Sequence, residues 1–176
     1  MQSFDSFRQS GLELSMGETF RCHGGMVRIL VERGAEVDKA DSDGWTALMV
    51  AAQRGDTKMI KELLERGADV HLATRKKSYL GPEGSTALLL AAERGKIEAI
   101  RLLVDKGADV NQADGEGKTP TFRAAEQGRA HAIAALRGLG ADIHKRDHRG
   151  VTPLAKAEEK GHDKAAATLR GLEAST

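Results

Sequence analysis

The sequence predicts an all-α solenoid, a stack of short helix-turn-helix units, and two observations support this prediction. A Gly-Ala motif followed by an acidic and an aliphatic residue begins at Gly34, Gly67, Gly107 and Gly140, so its intervals are 33, 40 and 33 residues. Hydrophobic residues make up 40% of the 176 residues, but aromatic residues only 3%. A period of this length is typical of repeat proteins, in which the core lies between neighbouring units. The composition favours thin, closely stacked helices.

The unit at residues 83–111 shows how two helices are encoded. Thr86 is expected to cap the first helix with its hydroxyl, and Gly95 to end it in the left-handed conformation. From Ile97, aliphatic residues recur at i, i+3, i+6 and i+7, which gives the second helix an apolar stripe that a neighbour must cover. Gly107 ends this helix, and a hairpin rich in Gly, Asp and Asn leads into the next unit.

One signature recurs as Gly-Trp-Thr-Ala-Leu-Met-Val-Ala-Ala at 44–52, Gly-Lys-Thr-Pro at 117–120 and Gly-Val-Thr-Pro-Leu at 150–154, the last followed by Gly161 and His162. These segments resemble the ankyrin repeat family, whose pattern is G-x-T-P-L-H-x-A-A, then G-H, then L-L-x-x-G-A-D-V-N. The resemblance covers about residues 21–173. The family's histidine, and with it the hydrogen bond that it usually gives to the turn, is expected to be absent, because its positions hold Met49, Leu89, Phe122 and Ala155.

We predict one ankyrin-repeat domain over residues 1–176. Its parts are a degenerate N-terminal cap at 1–40, repeats at 41–73, 82–113 and 114–146, a loop insertion at 74–81, and a C-terminal capping repeat at 147–173. The 40-residue interval places seven extra residues in that loop. Lys156 and Glu158 stand where inner units have apolar residues or alanine, as expected at the end of a stack.

Charge and cysteine content restrict the class of protein. The formal net charge of +1 gives no general attraction to nucleic acid or membrane. The single Cys22 excludes an internal disulfide framework and is compatible with a reducing compartment. The sequence contains no apolar run of membrane-spanning length and no leader pattern. We therefore expect a soluble cytoplasmic protein, with the nucleus as the alternative location.

The sequence contains no recognisable catalytic or metal-binding pattern. His144 and His148 are four residues apart on a predicted hairpin, where this spacing does not give the one-face pair that a helix gives. The segment at 115–119 lacks the spacing of a phosphate-binding loop. We expect a non-enzymatic protein with no catalytic residue, metal or cofactor. By the resemblance, Asn111 is a candidate for the asparagine hydroxylation seen in many eukaryotic relatives, where the host has the enzyme.

The resemblance also implies that a partner lies across the hairpin tips and the concave row of first helices. Trp45 is the main candidate, because tryptophan is enriched among interface hot spots; packing on a neighbouring hairpin is its alternative. The insertion is interpreted either as a recognition loop or as a tolerated surface insertion. The predicted partner-binding residues are Ser42, Asp43, Trp45, Gln53, Arg54, Arg75, Lys76, Lys77, Tyr79, Leu80, Ser85, Glu93, Arg94, Lys118, Glu126, Gln127, His148 and Arg149.

These observations predict a protein-interaction adaptor or a stoichiometric inhibitor, monomeric on its own, with another protein as partner and no small-molecule substrate. The alternative function is nucleic-acid binding through two basic hairpins, the insertion and the last hairpin. Near-neutral net charge and the row of Glu93, Glu126 and Glu159 between those hairpins argue against it.

One pair of unusual residues predicts a contact. Arg123 occupies the position of Leu90, and Glu158 the position of Ala125. A charge at an interface between units is costly unless it is paired, so we predict that Arg123 and Glu158 form an ion pair across the last interface. The alternative is that each side chain reaches solvent separately.

Overall fold

The computed structural model describes residues 36–76 and 82–174, and predictions for Lys77, Tyr79, Leu80 and most of the N-terminal cap lie outside these ranges. The described residues form eight α-helices and no strand longer than an isolated bridge. The helices are α1 (Ala47–Arg54), α2 (Thr57–Glu65), α3 (Ala87–Glu93), α4 (Ile97–Asp105), α5 (Pro120–Glu126), α6 (Ala130–Gly138), α7 (Pro153–Glu159) and α8 (Asp163–Glu173). The all-α prediction is confirmed.

The eight helices form two layers. The first helices of the units pack in the order α1, α3, α5, α7, and the second helices pack in the order α2, α4, α6, α8. Each first helix also packs against the second helix of its own unit. This arrangement confirms the predicted solenoid, in which contacts run between adjacent units.

A threonine begins each first helix. The hydroxyls of Thr46, Thr86, Thr119 and Thr152 accept a hydrogen bond from the backbone amide three residues further on, at 3.4, 3.3, 3.2 and 3.2 Å. These amides belong to the four residues that replace the family's histidine. The cap satisfies one of the unpaired amides at the start of the helix.

The two layers are buried to different extents. In α3, every residue from Ala87 to Ala92 is buried, because neighbouring first helices cover two sides and α4 a third. In α4, only Ala99, Ile100 and Leu103 are buried. Of the predicted stripe, Ile100 and Leu103 are buried, whereas Ile97 and Val104 are of intermediate exposure. Paired alanines such as Ala91 and Ala92 allow the first helices to approach closely. The core is therefore concentrated in the first-helix layer.

One polar residue organises the turn of each hairpin. Asp41, Asp114 and Asp147 each accept two backbone amides of the turn on one carboxylate oxygen, at 2.9–3.0 Å. Thr74 replaces the aspartate in the hairpin with the insertion. Its hydroxyl accepts from the Ser85 amide (2.9 Å) and donates to the Pro82 carbonyl (2.7 Å).

Successive hairpins are joined by backbone hydrogen bonds, which we call the hairpin ladder. Each bond runs from an amide of one hairpin to a carbonyl of the hairpin before it; the pairs are Arg75 to Asp43 (2.9 Å), Gly115 to Glu83 (3.0 Å) and His148 to Glu116 (3.1 Å). If the seven extra residues are placed at 76–82, the donors of the three bonds are equivalent residues of their hairpins, and so are the acceptors. The ladder therefore places the insertion at 76–82, slightly later than the expected 74–81.

The ladder requires glycine where one hairpin approaches the next. Gly44, Gly84 and Gly117 have positive φ, and a Cβ built on them would lie 2.6, 2.7 and 2.9 Å from the backbone nitrogen of the following hairpin. Such distances leave no room for a side chain. Gly150, in the last hairpin, has the same conformation but no neighbouring atom within 4 Å.

A second connection between units lies at the turn between the two helices. Arg129 Nε donates to the Glu93 carbonyl at 3.2 Å, and His162 Nε2 lies 3.1 Å from the Glu126 carbonyl oxygen. Both carbonyls belong to the C-terminal end of the preceding unit's first helix, where a helix leaves carbonyl groups unpaired. The G-H position of the repeat thus provides a C-terminal cap for the unit before it.

The opposite loops are joined through Asp38 and Asn111. The Asp69 amide donates to both carboxylate oxygens of Asp38 (3.0 and 3.1 Å), and the Asp142 amide donates to the Asn111 side-chain oxygen (2.8 Å). Partial burial raises the pKa of Asp38, the amide bond from Asp69 lowers it, and the charge of Asp69 raises it; the net shift is upward. Asparagine makes the same bond without a charge.

We predict that Thr121→Val stabilises the protein. Thr121 is fully buried in α5 and its hydroxyl has no hydrogen-bond partner, so valine removes an unpaired polar group and keeps the shape. An increase of about 1 kcal/mol in the free energy of unfolding is expected from urea titration. The matched control is Thr119→Val, which removes the α5 cap and should cost about 1 kcal/mol. Equal or lower stability of Thr121→Val would contradict the prediction.

We also predict that Asp38→Asn is stabilising at pH 7 and neutral in acid. Because the folded-state pKa of Asp38 is raised, the cost of its charge is present above that pKa and disappears as pH falls through it. The melting temperature should rise by about 1–2 °C at pH 7, with no gain once Asp38 is protonated. Asp109→Asn is the control. Asp109 is the equivalent of Asp69, but the residue of the preceding unit at the position of Asp38 is His71, not a carboxylate. A gain that is independent of pH would refute this explanation.

Candidate functional site

The predicted partner-binding residues differ in exposure. The exposed ones are Ser42, Arg54, Arg75, Lys76, Arg94, Gln127, His148 and Arg149, and those of intermediate exposure are Asp43, Gln53, Glu93, Lys118 and Glu126. We call the exposed set, with Lys160, the tip and first-helix surface. Arg54, Arg94, Gln127 and Lys160 occupy equivalent positions at the ends of α1, α3, α5 and α7.

The expectation that Trp45 is an exposed hairpin residue is wrong. Its side chain is 1% exposed and belongs to the core, which favours the packing alternative. Ser85, its equivalent in the next hairpin, is also buried. The reason lies in the backbone: the Trp45 carbonyl accepts from the Asp41 amide, and the Ser85 carbonyl accepts from the Thr74 amide. This pairing places both residues at the base of the hairpin, directly before the helix cap, and not at its tip.

Lys118 and Glu126 are engaged within the protein. They belong to an ionic cluster that also contains Asp114, Glu116 and Arg123. Arg123 Nη2 lies 2.5 Å from Asp114 Oδ2, and Arg123 Nη1 lies 2.9 Å from Glu126 Oε2. Lys118 Nζ lies 2.9 Å from Glu126 Oε1 and 3.0 Å from Glu116 Oε2. Of the five side chains, only Glu116 is substantially exposed, at 42%.

Burial and pairing oppose each other in this cluster. Burial by itself would lower the pKa of Arg123, but the charge and hydrogen bonds of Asp114, together with Glu126 and Glu116, outweigh it and raise the pKa. For Lys118 the same balance holds: burial would lower its pKa, and hydrogen bonds to Glu126 and Glu116 raise it. Both side chains are held as cations. Because their charge is compensated internally, little of it is left to attract a partner.

The predicted pair of Arg123 and Glu158 is wrong. The guanidinium of Arg123 is directed to the hairpin of its own unit, where Asp114 is buried, and Glu158 is hydrogen-bonded to Arg170 of α8. Asp114 was missed because it was interpreted only as a turn residue. Its Oδ1 holds the turn amides, but its Oδ2 remains available to a cation. An Asp three residues before Gly-x-Thr-Pro and nine before an Arg is the signal that could have identified the pair.

The described side chains of the site offer hydrogen bonding and ion pairing. In the part of the chain that the structure describes, no three His, Cys, Asp or Glu residues are arranged to hold a metal ion. Within the same ranges, no helix has the length and apolar character needed to cross a membrane. Asn111 uses its side-chain oxygen to join two units.

We predict strong coupling between Arg123 and Asp114 in a double-mutant cycle. Arg123→Met leaves a buried carboxylate without its cation, and Asp114→Asn keeps an oxygen for the turn amides. A coupling free energy of about 1–3 kcal/mol is expected from chemical denaturation. The control cycle combines Arg123→Met with Glu158→Gln and should give no coupling beyond about 0.5 kcal/mol. Coupling to Glu158 that equals coupling to Asp114 would show that the observed pairing is wrong.

A family model described as ankyrin repeats (3 copies) matches residues 19–74 and 72–147. Ankyrin repeat and SAM domain-containing protein 6 of Mus musculus is 49% identical over 51 residues, which cover 28% of this chain and 6% of the mouse protein. The protein of the same name from Rattus norvegicus is 47% identical over 51 residues, again 28% of this chain and 6% of the relative. The chain therefore corresponds to a small part of these relatives. Since the family model matches well over half of the sequence, the chain belongs to the ankyrin repeat family.

Proposed function

We propose that the chain is a protein-interaction adaptor or stoichiometric inhibitor that holds a partner protein across the tip and first-helix surface. Ankyrin repeats are generally protein–protein interaction modules, and the family is generally non-enzymatic. The partner's identity is not part of the proposal. We infer a cytoplasmic location, because a single cysteine suits a reducing compartment, and we propose that the chain is a monomer on its own.

The observation that carries the proposal is the contrast between equivalent positions. Cap threonines, turn glycines and paired alanines recur from unit to unit because stacking needs them. At the ends of the first helices, however, Arg54 and Arg94 are followed by Gln127 and Lys160. These residues are exposed, and their chemistry changes between units. Variable exposed side chains on a repeated rigid scaffold are typical of a recognition surface.

Nucleic-acid binding is the second candidate function. It is favoured by exposed basic side chains at two hairpins, Arg75 and Lys76 in one and His148 and Arg149 in the other. The hairpin between them argues against it, because the charge of Lys118 is compensated by two carboxylates there. A phosphate backbone lying along the hairpin tips would therefore meet a break in the positive charge at this hairpin. Protein binding tolerates such a mixed pattern.

We predict that Arg54→Ala, Arg94→Ala and Gln127→Ala together remove partner binding without unfolding the protein. The measurement is affinity capture from nuclease-treated lysate with mass spectrometry, followed by titration of the captured protein. Binding should weaken at least tenfold, while helix content by circular dichroism stays unchanged. A 1:1 loss of the captured protein's activity would identify an inhibitor, and unchanged activity an adaptor.

The control is Lys58→Ala, Lys61→Ala and Arg101→Ala, three exposed residues of the second-helix layer. This variant should bind as the wild type does. If it loses the partner and the first-helix variant keeps it, the surface has been assigned to the wrong face. If nuclease treatment abolishes capture by the wild type, nucleic-acid binding is the better description.

A further inference from the structure

The hairpin ladder ends at an unused position in the last hairpin. In each of the three earlier hairpins, one carbonyl, that of Asp43, Glu83 or Glu116, accepts an amide from the next hairpin. The corresponding carbonyl in the last hairpin is that of Arg149, and among the described residues no donor reaches it. Gly150 beside it has nothing within 4 Å of an added Cβ, whereas Gly117, its equivalent, is covered by His148. The Gly150 carbonyl itself accepts from Arg146 Nη1 at 2.6 Å. The last hairpin therefore offers the Arg149 carbonyl as an acceptor, beside the uncovered Cα of Gly150, to another chain.

The helical part of the same end is closed to a further unit. Glu158 and Arg170 form an ion pair between α7 and α8 on this side. At the positions of Glu158, inner units carry Ala92 and Ala125, which the next unit buries. Burying an exposed ion pair under another helix would cost several kcal/mol unless new partners replaced water. The end of the stack thus disfavours a helical unit but leaves the hairpin free.

The charge around the open hairpin is positive. Within residues 144–151, Asp147 is the one acidic residue; it is buried and accepts the turn amides, so it does not extend toward the surface. Arg146 and Arg149 are exposed on either side of it. Lys145 adds a further exposed cation to the same hairpin.

The adjoining end of α7 keeps this positive character. Glu159 is hydrogen-bonded to Lys156 at 2.6 Å, and that bond, together with the charges of Lys160 and Arg149, lowers the pKa of its carboxyl. Three cations therefore surround one exposed carboxylate. Arg149 and Lys160 form no ion pair with any described residue, so this positive charge is available to a ligand.

We propose that the last hairpin binds an extended acidic segment of a partner protein, which adds to the ladder in the place of a fifth hairpin. A backbone amide of the segment donates to the Arg149 carbonyl, its main chain lies against Gly150, and its carboxylates meet the surrounding cations. This mode corresponds to strand addition at an open edge, in which main-chain bonds give affinity and side chains give specificity. The proposal rests on the proposed role as a protein-interaction module and names the chemistry of one contact.

The test uses two synthetic peptides with the 176-residue chain, an eight-residue alternating Glu-Thr peptide and a Gln-Thr peptide of the same length. Two-dimensional NMR of the 15N-labelled protein should show saturable shifts at Arg149, Gly150 and Lys160 with the acidic peptide, and at least tenfold weaker binding of the neutral one. Binding should weaken further as salt is raised. No shift at Gly150, or equal binding of both peptides, would overturn the proposal.

Two variants separate the backbone contact from the charges. Gly150→Asn places a side chain where the segment would lie, and asparagine tolerates positive φ, so the fold should persist while binding falls at least tenfold. Arg149→Glu should have a similar effect on binding through charge. Lys61→Glu in α2 is the matched control and should bind normally. Full binding by Gly150→Asn would refute strand addition and leave only nonspecific attraction.

Other occupants give other results. A single-stranded oligonucleotide that binds more tightly than the acidic peptide would contradict the proposal in favour of nucleic acid. Shifts at Gly150 that grow with protein concentration and no peptide would indicate a second copy instead. If the acidic peptide does not bind but the wild-type protein still captures a partner, the contact at the last hairpin is refuted and the proposed function is not. Loss of capture in the first-helix variant concerns the proposed function and leaves the peptide test unaffected, because Arg54, Arg94 and Gln127 lie in other units.

Discussion

The packing of α3 between α1 and α5 determines most of this structure. Leu88, Leu89 and Leu90 are at most 2% exposed, although they are consecutive residues of a seven-residue helix. A short helix can be buried on all its faces only when neighbouring units, its own second helix and the hairpins cover it together. Stability therefore comes from interfaces between units more than from any single unit. This explains why small residues and fixed caps recur wherever two units meet.

The hairpin ladder follows from the same stacking distance. Because the first helices are closely packed, successive hairpins come near enough for one backbone bond each, and glycine is needed at the point of approach. The insertion at 76–82 leaves this arrangement intact, since Thr74 and Ser85 close the hairpin across it. A loop can lengthen beyond a closed hairpin at a low entropic cost. The scaffold thus separates what must be constant from what is free to vary.

Electrostatics divides the hairpins into two kinds. The third hairpin directs its charges inward, where Arg123 and Lys118 compensate three carboxylates. The last hairpin also has a buried aspartate, but its cations are exposed. Lys156 stands at the position of Arg123 and pairs with Glu159, so no helix residue of this unit pairs with the hairpin as Arg123 does. Net charge conceals this difference. A total of +1 for the chain is compatible with a local surplus at one end.

The sequence alone determined the helices, their order and their caps. A 33-residue period, cap threonines and glycine stops are local signals, and they depend on backbone geometry that each short segment specifies by itself. Exposure along the helices was likewise predictable where periodicity governs it, as at Ile100 and Leu103. The exposure of residues between the turn glycine and the helix cap was harder to predict.

Only the tertiary structure decided the direction of Trp45, the partner of Arg123 and the unused end of the ladder. Each depends on contacts between segments that are distant in sequence or between consecutive hairpins. Trp45 turns inward because its carbonyl pairs with Asp41, and Arg123 finds Asp114 because the hairpin base lies against its own first helix. The carbonyl of Arg149 is unpaired among the described residues because no described hairpin lies beyond it in the stack. Such facts belong to the assembly of units, and no single repeat contains them.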